Sequence, residues 1–228
     1  MIMRRIDTVL AELKSQANLK NVEGMAKFGI NPKNTLGISI PVLRRMAREL
    51  GRDHVLAAGL WKSGIHEARI LAAFVDEPGR VTARQMDRWV RSFDSWDVCD
   101  QACANLFWQT PFASSKAIEW SKDKREFVKR AGFALMAALA WHDETAPDSR
   151  FEKFFPVIIR GSVDERNLVK KAVNWALRQI GKRNGSLNKE AINVAREIQK
   201  LESKSARWIA ADALRELSGE FVQKRLKR

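Results

Sequence analysis

The chain has 228 residues, 45% of them apolar and 30% charged. That is enough to bury a core without disulfides and too apolar for a disordered segment. Twelve Gly and six Pro are too few for a turn-rich all-β chain, and no apolar run is long enough to cross a membrane. Lys plus Arg is 41 against 27 Asp plus Glu, a net charge of +14, which points to a polyanionic partner: DNA, RNA or an acidic membrane surface.

The first segment, MIMRRIDTVLAELKSQ, carries charges at Arg4, Arg5, Asp7, Glu12 and Lys14. It reads as a helix over 3–16, not as a signal peptide, so an intracellular, cytoplasmic chain is expected. Helical periodicity then predicts helices over 20–28, 41–51, 53–62, 65–76, 82–93, 96–108, 113–121, 124–141, 148–160, 164–183, 187–201 and 204–218. The breaks are short: Asn31-Pro32, Pro78-Gly79, Thr110-Pro111, Ala146-Pro147 and Asn184-Gly185. With no long linker, residues 1–228 are expected to form one all-α domain with a basic tail from about 219 to 228.

The helices repeat. VKRA at 128–131 recurs as VKKA at 169–172, and ALRQIG at 176–181 as ALRELSG at 213–219, shifts of 41 and 37. A period near 40 predicts an α-solenoid of HEAT-like or armadillo-like repeats, with a compact helical bundle as the alternative. A solenoid offers an extended concave surface that suits an elongated polyanion.

Cys99 and Cys103 lie four apart and share a helix face, where they read as apolar packing. His54, His66 and His142 are scattered, so no metal site is expected. Residues 151–228 carry 18 Lys and Arg against 9 Asp and Glu. The densest helix, 164–183, holds Arg166, Lys170, Lys171, Arg178, Lys182 and Arg183 around an apolar face of Leu168, Val169, Ala172, Leu177 and Ile180. The tail adds Lys224, Arg225, Lys227 and Arg228. A solvated face explains any one such cluster; their sum favours nucleic-acid binding.

There are eight Trp and no Tyr. Trp61, Trp89, Trp108, Trp120, Trp141 and Trp208 sit among apolar neighbours and read as core. Trp96 and Trp175 differ. Trp96 opens a helix capped by Asp94 or Ser95, and Asp100, four residues on, projects from its face. Asp97 lies off that face and suits the helix dipole. Asp100, one turn further in, is either an ordinary salt-bridged carboxylate or a catalytic one. Trp175 shares a face with Arg178, Gln179 and Lys182, where an indole can meet a base or sugar beside phosphates. Arg130 borders an apolar segment and can pair with Asp100 or reach a phosphate.

At these residues the chain resembles the DNA alkylation repair enzyme family, the AlkD-like DNA glycosylases. The resembling segments are LGISIPVLRRMA at 36–47, HEARILA at 66–72, SWDVCDQ at 95–101, FVKRAGFAL at 127–135 and KKAVNWALRQIGKRN at 170–184. The resemblance implies a HEAT-like α-solenoid with a basic concave face for duplex DNA. It implies hydrolysis of the N-glycosidic bond of cationic alkylated purines, of the 3-methyladenine and 7-methylguanine type. By motif, Asp100 would be the catalytic carboxylate, Trp96 and Trp175 the aromatic pair at the lesion, and Arg130 the supporting cation. Lys170, Lys171, Arg178, Lys182 and Arg183 would contact DNA. Two departures stand out. Ser95 occupies a position where some members carry a second aromatic, and no Tyr is available near the lesion, Phe28 being the nearest candidate.

The partner implied is double-stranded DNA containing alkylated bases, bound by a monomeric, nucleoid-associated protein of a bacterium or archaeon, with no cofactor. No Lys is placed as a Schiff-base nucleophile, so a monofunctional glycosylase without lyase activity is expected. The alternatives are a non-catalytic solenoid that recognises distorted or branched DNA and a scaffold for acidic proteins.

Overall fold

The computed structural model describes residues 2–226, and side chains from residue 5 onward. Among the described residues every regular element is helical, in fifteen α-helices and two short 3-10 turns. They form two compact units that divide between Thr110 and Pro111. The boundary falls on one of the sequence's breaks, where proline disfavours a helical conformation for the residue before it.

The first unit contains α1 (Ile2–Ser15), α2 (Leu19–Lys27), α3 (Ile40–Leu50), α4 (His54–Lys62), α5 (His66–Val75), α6 (Ala83–Arg91) and α7 (Trp96–Asn105). Its helix starts are written in the sequence. Asn18 accepts from the Asn21 amide, Asp53 from Val55 and Leu56, and Thr82 from Gln85, which satisfies amides that a helix leaves unpaired. α5 is the central helix, buried from His66 to Val75 except at Arg69 and Phe74, and it packs on α3, α4 and α7. Trp61 stacks on Trp89 with ring centroids 3.8 Å apart and planes 5° apart, joining α4 to α6.

The second unit contains α8 (Ala113–Trp120), α9 (Glu126–His142), α10 (Asp148–Glu152), α11 (Phe155–Gly161), α12 (Asn167–Gly181), α13 (Gly185–Gln199), α14 (Lys204–Leu217) and α15 (Glu220–Leu226). The helices α9, α12 and α14 lie side by side, and α8, α11 and α13 back onto them as pairs. The segment 148–160 is two helices instead of one. Pro156 supplies no amide and its ring crowds the carbonyl four residues earlier, so the first helix stops and a second begins at Phe155. Within the basic tail, residues 220–226 form α15, anchored by buried Val222, while Lys227 and Arg228 lie outside the described residues.

Side-chain bonds tie each helix pair to the next at nearly constant separation. Arg130 Nη1 donates to the Leu168 carbonyl at 2.6 Å, Asn174 Nδ2 to Asp212 at 2.6 Å, and Arg178 pairs with Glu216, each 38 residues apart in sequence. Ser203 Oγ donates to Glu165 at 2.7 Å, again across 38 residues. These spacings match the repeat read from VKRA/VKKA and ALRQIG/ALRELSG, whose copies fall on α9, α12 and the end of α14.

Candidate active site

Trp96 is the first residue of α7, and Asp100 stands one turn along it. Both are half-buried, while Val98, Cys99, Ala102 and Cys103 fill the core behind them. Both cysteines are free thiols in that packing. The indole is held from outside the helix: Trp96 Nε1 donates to the Phe28 carbonyl at 3.0 Å. The irregular segment 28–38 thus crosses the start of α7. It is pinned there by Ser95, whose hydroxyl is wholly buried and accepts from the Asn31 amide at 2.9 Å. Ser95 is the N-cap residue, but its oxygen serves this strap and not its own helix. Phe28 itself is 76% exposed.

Two buried acid–base contacts fix the same strap and helix. Glu67 is fully buried, and its carboxylate accepts from the amides of Leu36 at 2.8 Å, Gly37 at 2.7 Å and Ile38 at 3.2 Å. Gly37 sits at φ +80, where a Cβ would also strike the Asn18 carbonyl, so only glycine fits. Buried His66 meets Asp97 Oδ2 at 2.9 Å through Nε2. Burial pulls the imidazole pKa down, but the Asp97 hydrogen bond and charge, with Glu67 and Asp94 nearby, leave it above its ordinary value. Both residues open the HEARILA segment at 66–72, but sequence reading gave neither of them a role.

In the second unit Arg130 is buried on α9 and Trp175 half-buried on α12, two helices that pack together. The cations of α12 differ in availability. Lys171 is exposed, and the Lys170 ammonium lies 4.9 Å from the Trp208 ring centroid. Arg178 and Lys182 both pair with Glu216, Lys182 at 2.6 Å. Burial raises the Glu216 pKa, but these two cations outweigh it and hold it below its ordinary value. The Arg183 guanidinium donates to the Ala140 carbonyl at 2.9 Å and lies 4.1 Å from the Phe151 ring centroid. The wet row of cations expected along α12 is therefore present at Lys171 and folded into the unit at Arg178, Lys182 and Arg183.

Of the tryptophans read as core, Trp61, Trp89 and Trp120 are buried and Trp108 half-buried. Two readings are corrected. Trp141 is 61% exposed and Trp208 42% exposed. Trp141 is the penultimate residue of α9, where the helix leaves the core, and its apolar neighbours in sequence face inward without it. It lines a cavity of about 390 Å³ with Glu144, Gln179, Lys182, Arg183 and Arg225. Among the described residues no three His, Cys, Asp or Glu side chains gather as a metal site, and no helix is long and apolar enough to cross a membrane.

No curated protein matches the chain. A solved structure described as "A new family of proteins related to the HEAT-like repeat DNA glycosylases with affinity for branched DNA structures" is similar over 97% of this chain and 95% of its own, with a TM-score of 0.81 at 18% identity. That likeness shows the fold, an α-solenoid of HEAT-like repeats. An engineered protein (TM-score 0.38, 14% identity, 78% of this chain and 91% of its own) carries no argument at that score. Nor does a designed armadillo repeat protein in complex with a (KR)4 peptide (0.37, 13%, 81% and 88%). The family model for the DNA alkylation repair enzyme matches residues 9–217. That match spans the helical repeat and the segments around Trp96, Arg130 and Trp175, and the chain belongs to the DNA alkylation repair enzyme family.

Proposed function

We propose that the protein is a monofunctional DNA glycosylase that hydrolyses the N-glycosidic bond of cationic alkylated purines, 3-methyladenine and 7-methylguanine, in duplex DNA, acting as a monomer. One observation carries the reading: a half-buried carboxylate, Asp100, one turn from a half-buried indole, Trp96, on a helix whose other face is locked into the core.

A purine alkylated at N3 or N7 is already positive and leaves without a general acid, which suits a residue set lacking His. As the C1′–N bond breaks, positive charge develops on the sugar. Asp100 stabilises that charge and orients the attacking water, the logic of glycoside hydrolysis with its acid half omitted. Trp96 and Trp175 add cation–π attraction of roughly 0.5–2 kcal/mol each to the sugar and cationic base. Arg130 grips a backbone phosphate. Lys170 and Lys171 meet phosphates, while Arg178, Lys182 and Arg183 add their charge to the same surface.

The test is base release from methylated duplex by wild type and Asp100→Asn. Release should fall by at least about 100-fold, the scale of losing a group that stabilises transition-state charge. Duplex affinity should stay within about twofold. Release at the wild-type rate would remove Asp100 from the chemistry.

A second reading is a non-catalytic protein that recognises branched DNA. Ser95 favours it: where some family members carry an aromatic, this chain has a buried hydroxyl committed to its own backbone. The similar solved structure is described as having affinity for branched DNA. Under this reading wild type releases no base and binds four-way junctions more tightly than linear duplex.

A further inference from the structure

The cavity at the C-terminal ends of α9 and α12 lies outside the Asp100 set and has a chemistry of its own. Trp141 exposes 61% of its surface there. Among the described residues Ala140 is the only other apolar one lining it; the rest are Glu144, Gln179, Lys182, Arg183 and Arg225. A protein-docking face needs a contiguous apolar centre, which one indole and one methyl do not make. A flat π-surface, an amide, a carboxylate and three cations together match the parts of a nucleotide: a base to stack, a base edge to hydrogen-bond and a phosphate to neutralise. The volume, about 390 Å³, is within the range of about 300–1,000 Å³ usual for small-ligand sites.

The cations are built in. Arg183 is fixed by the Ala140 carbonyl at 2.9 Å and the Phe151 ring. Exposed Arg225, on α15, donates Nη2 to the carbonyl of Lys182 at the end of α12. A guanidinium has five N–H donors, so that single bond leaves others for a phosphate oxygen. Both arginines also sit where helix C-termini concentrate negative partial charge, which anchors them without neutralising them.

We propose that this cavity binds an unstacked nucleotide of single-stranded DNA, its base on Trp141 and its phosphate at Arg225, with Lys182 and Arg183 adding positive charge beside it. The strand must be unpaired, because inside a duplex both faces of a base are covered by its neighbours and an indole cannot stack on either. A frayed end, a flap or a displaced strand supplies such a base. The site requires no base excision and stands whether or not Asp100 is catalytic.

The experiment is fluorescence anisotropy on the full chain with three labelled DNAs: a short oligothymidine, a duplex with a single-stranded overhang, and a blunt duplex. Trp141→Ala, safe for folding because the residue is exposed, should weaken oligothymidine binding by about 10- to 100-fold, the effect of losing one base–aromatic stack. Overhang binding should weaken too, blunt-duplex binding should not change, and Trp141→Phe should retain most of the affinity. Arg225→Ala should lower the salt slope for oligothymidine by about one. Wild-type oligothymidine affinity in Trp141→Ala would overturn the proposal. So would an equal loss on blunt duplex, which marks a general backbone contact. So would thymidine monophosphate binding as tightly as the oligonucleotide, which marks a site for free nucleotides. Base release from methylated duplex, measured alongside, reports on Asp100 and should not respond to Trp141→Ala.

Discussion

Asp97 and Asp100 stand three residues apart on α7, and their surroundings separate their roles. Asp97 is held by buried His66, which fixes the start of the helix from which Trp96 and Asp100 project. The His66 pKa lies above its ordinary value, so the charged pair contributes fully below about pH 6.5 and fades as pH rises through the raised value. His66→Gln should cost about 1.5–3 kcal/mol in urea unfolding near pH 6, and that gap should narrow as pH rises through the raised pKa of the imidazole. A gap independent of pH would mean that imidazolium is not the form that matters. The sequence displayed Asp100 through its spacing from Trp96. It did not display His66, because a tertiary contact between residues 31 apart leaves no periodic trace.

At the scale of elements, most helices were readable from periodicity, caps and breaks. The exceptions have local causes. Pro156 cuts the predicted 148–160 helix, and α7 stops at Asn105, giving way to a 3-10 turn over Phe107–Gln109. The α8–α9 contact could not be read at all. At Gly132 an added Cβ would lie 2.5 Å from the Ser121 amide nitrogen and 2.8 Å from the Ala117 carbonyl oxygen, both backbone atoms of the α8 end. Gly132→Ala must therefore push two helices apart. It should cost about 1–3 kcal/mol or more by urea denaturation, despite the better helix propensity of alanine. Trp141 was misread for a related reason: an apolar run says which residues suit a core, not where the helix emerges from it.

For the whole molecule, the net charge of +14 was plain from composition, but its allocation was not. Carboxylates of α14 hold Arg178 and Lys182, and Arg183 spends its donors on carbonyls, so the charge of α12 most open to a partner is that of Lys171. Lys171→Ala should weaken binding to all duplexes alike and reduce the slope of log affinity against log salt by about one, with no change in melting temperature. Arg183→Ala should instead lower the melting temperature. An unchanged salt slope in Lys171→Ala would place this part of α12 away from the phosphates. The repeat, by contrast, was legible from two short recurring strings, because each copy occupies the same place in a stacked helix pair.

The constant 38-residue interval between Arg130 and Leu168, Asn174 and Asp212, and Arg178 and Glu216 also bears on synthesis. Each of these bonds joins a helix to chain made 38 residues before or after it, and none of them waits for a distant segment. At about 5–20 residues per second, a ribosome supplies the next partner every few seconds, far longer than a helix needs to form. The unit can thus assemble in order as it emerges, each new helix pair docking on one already formed.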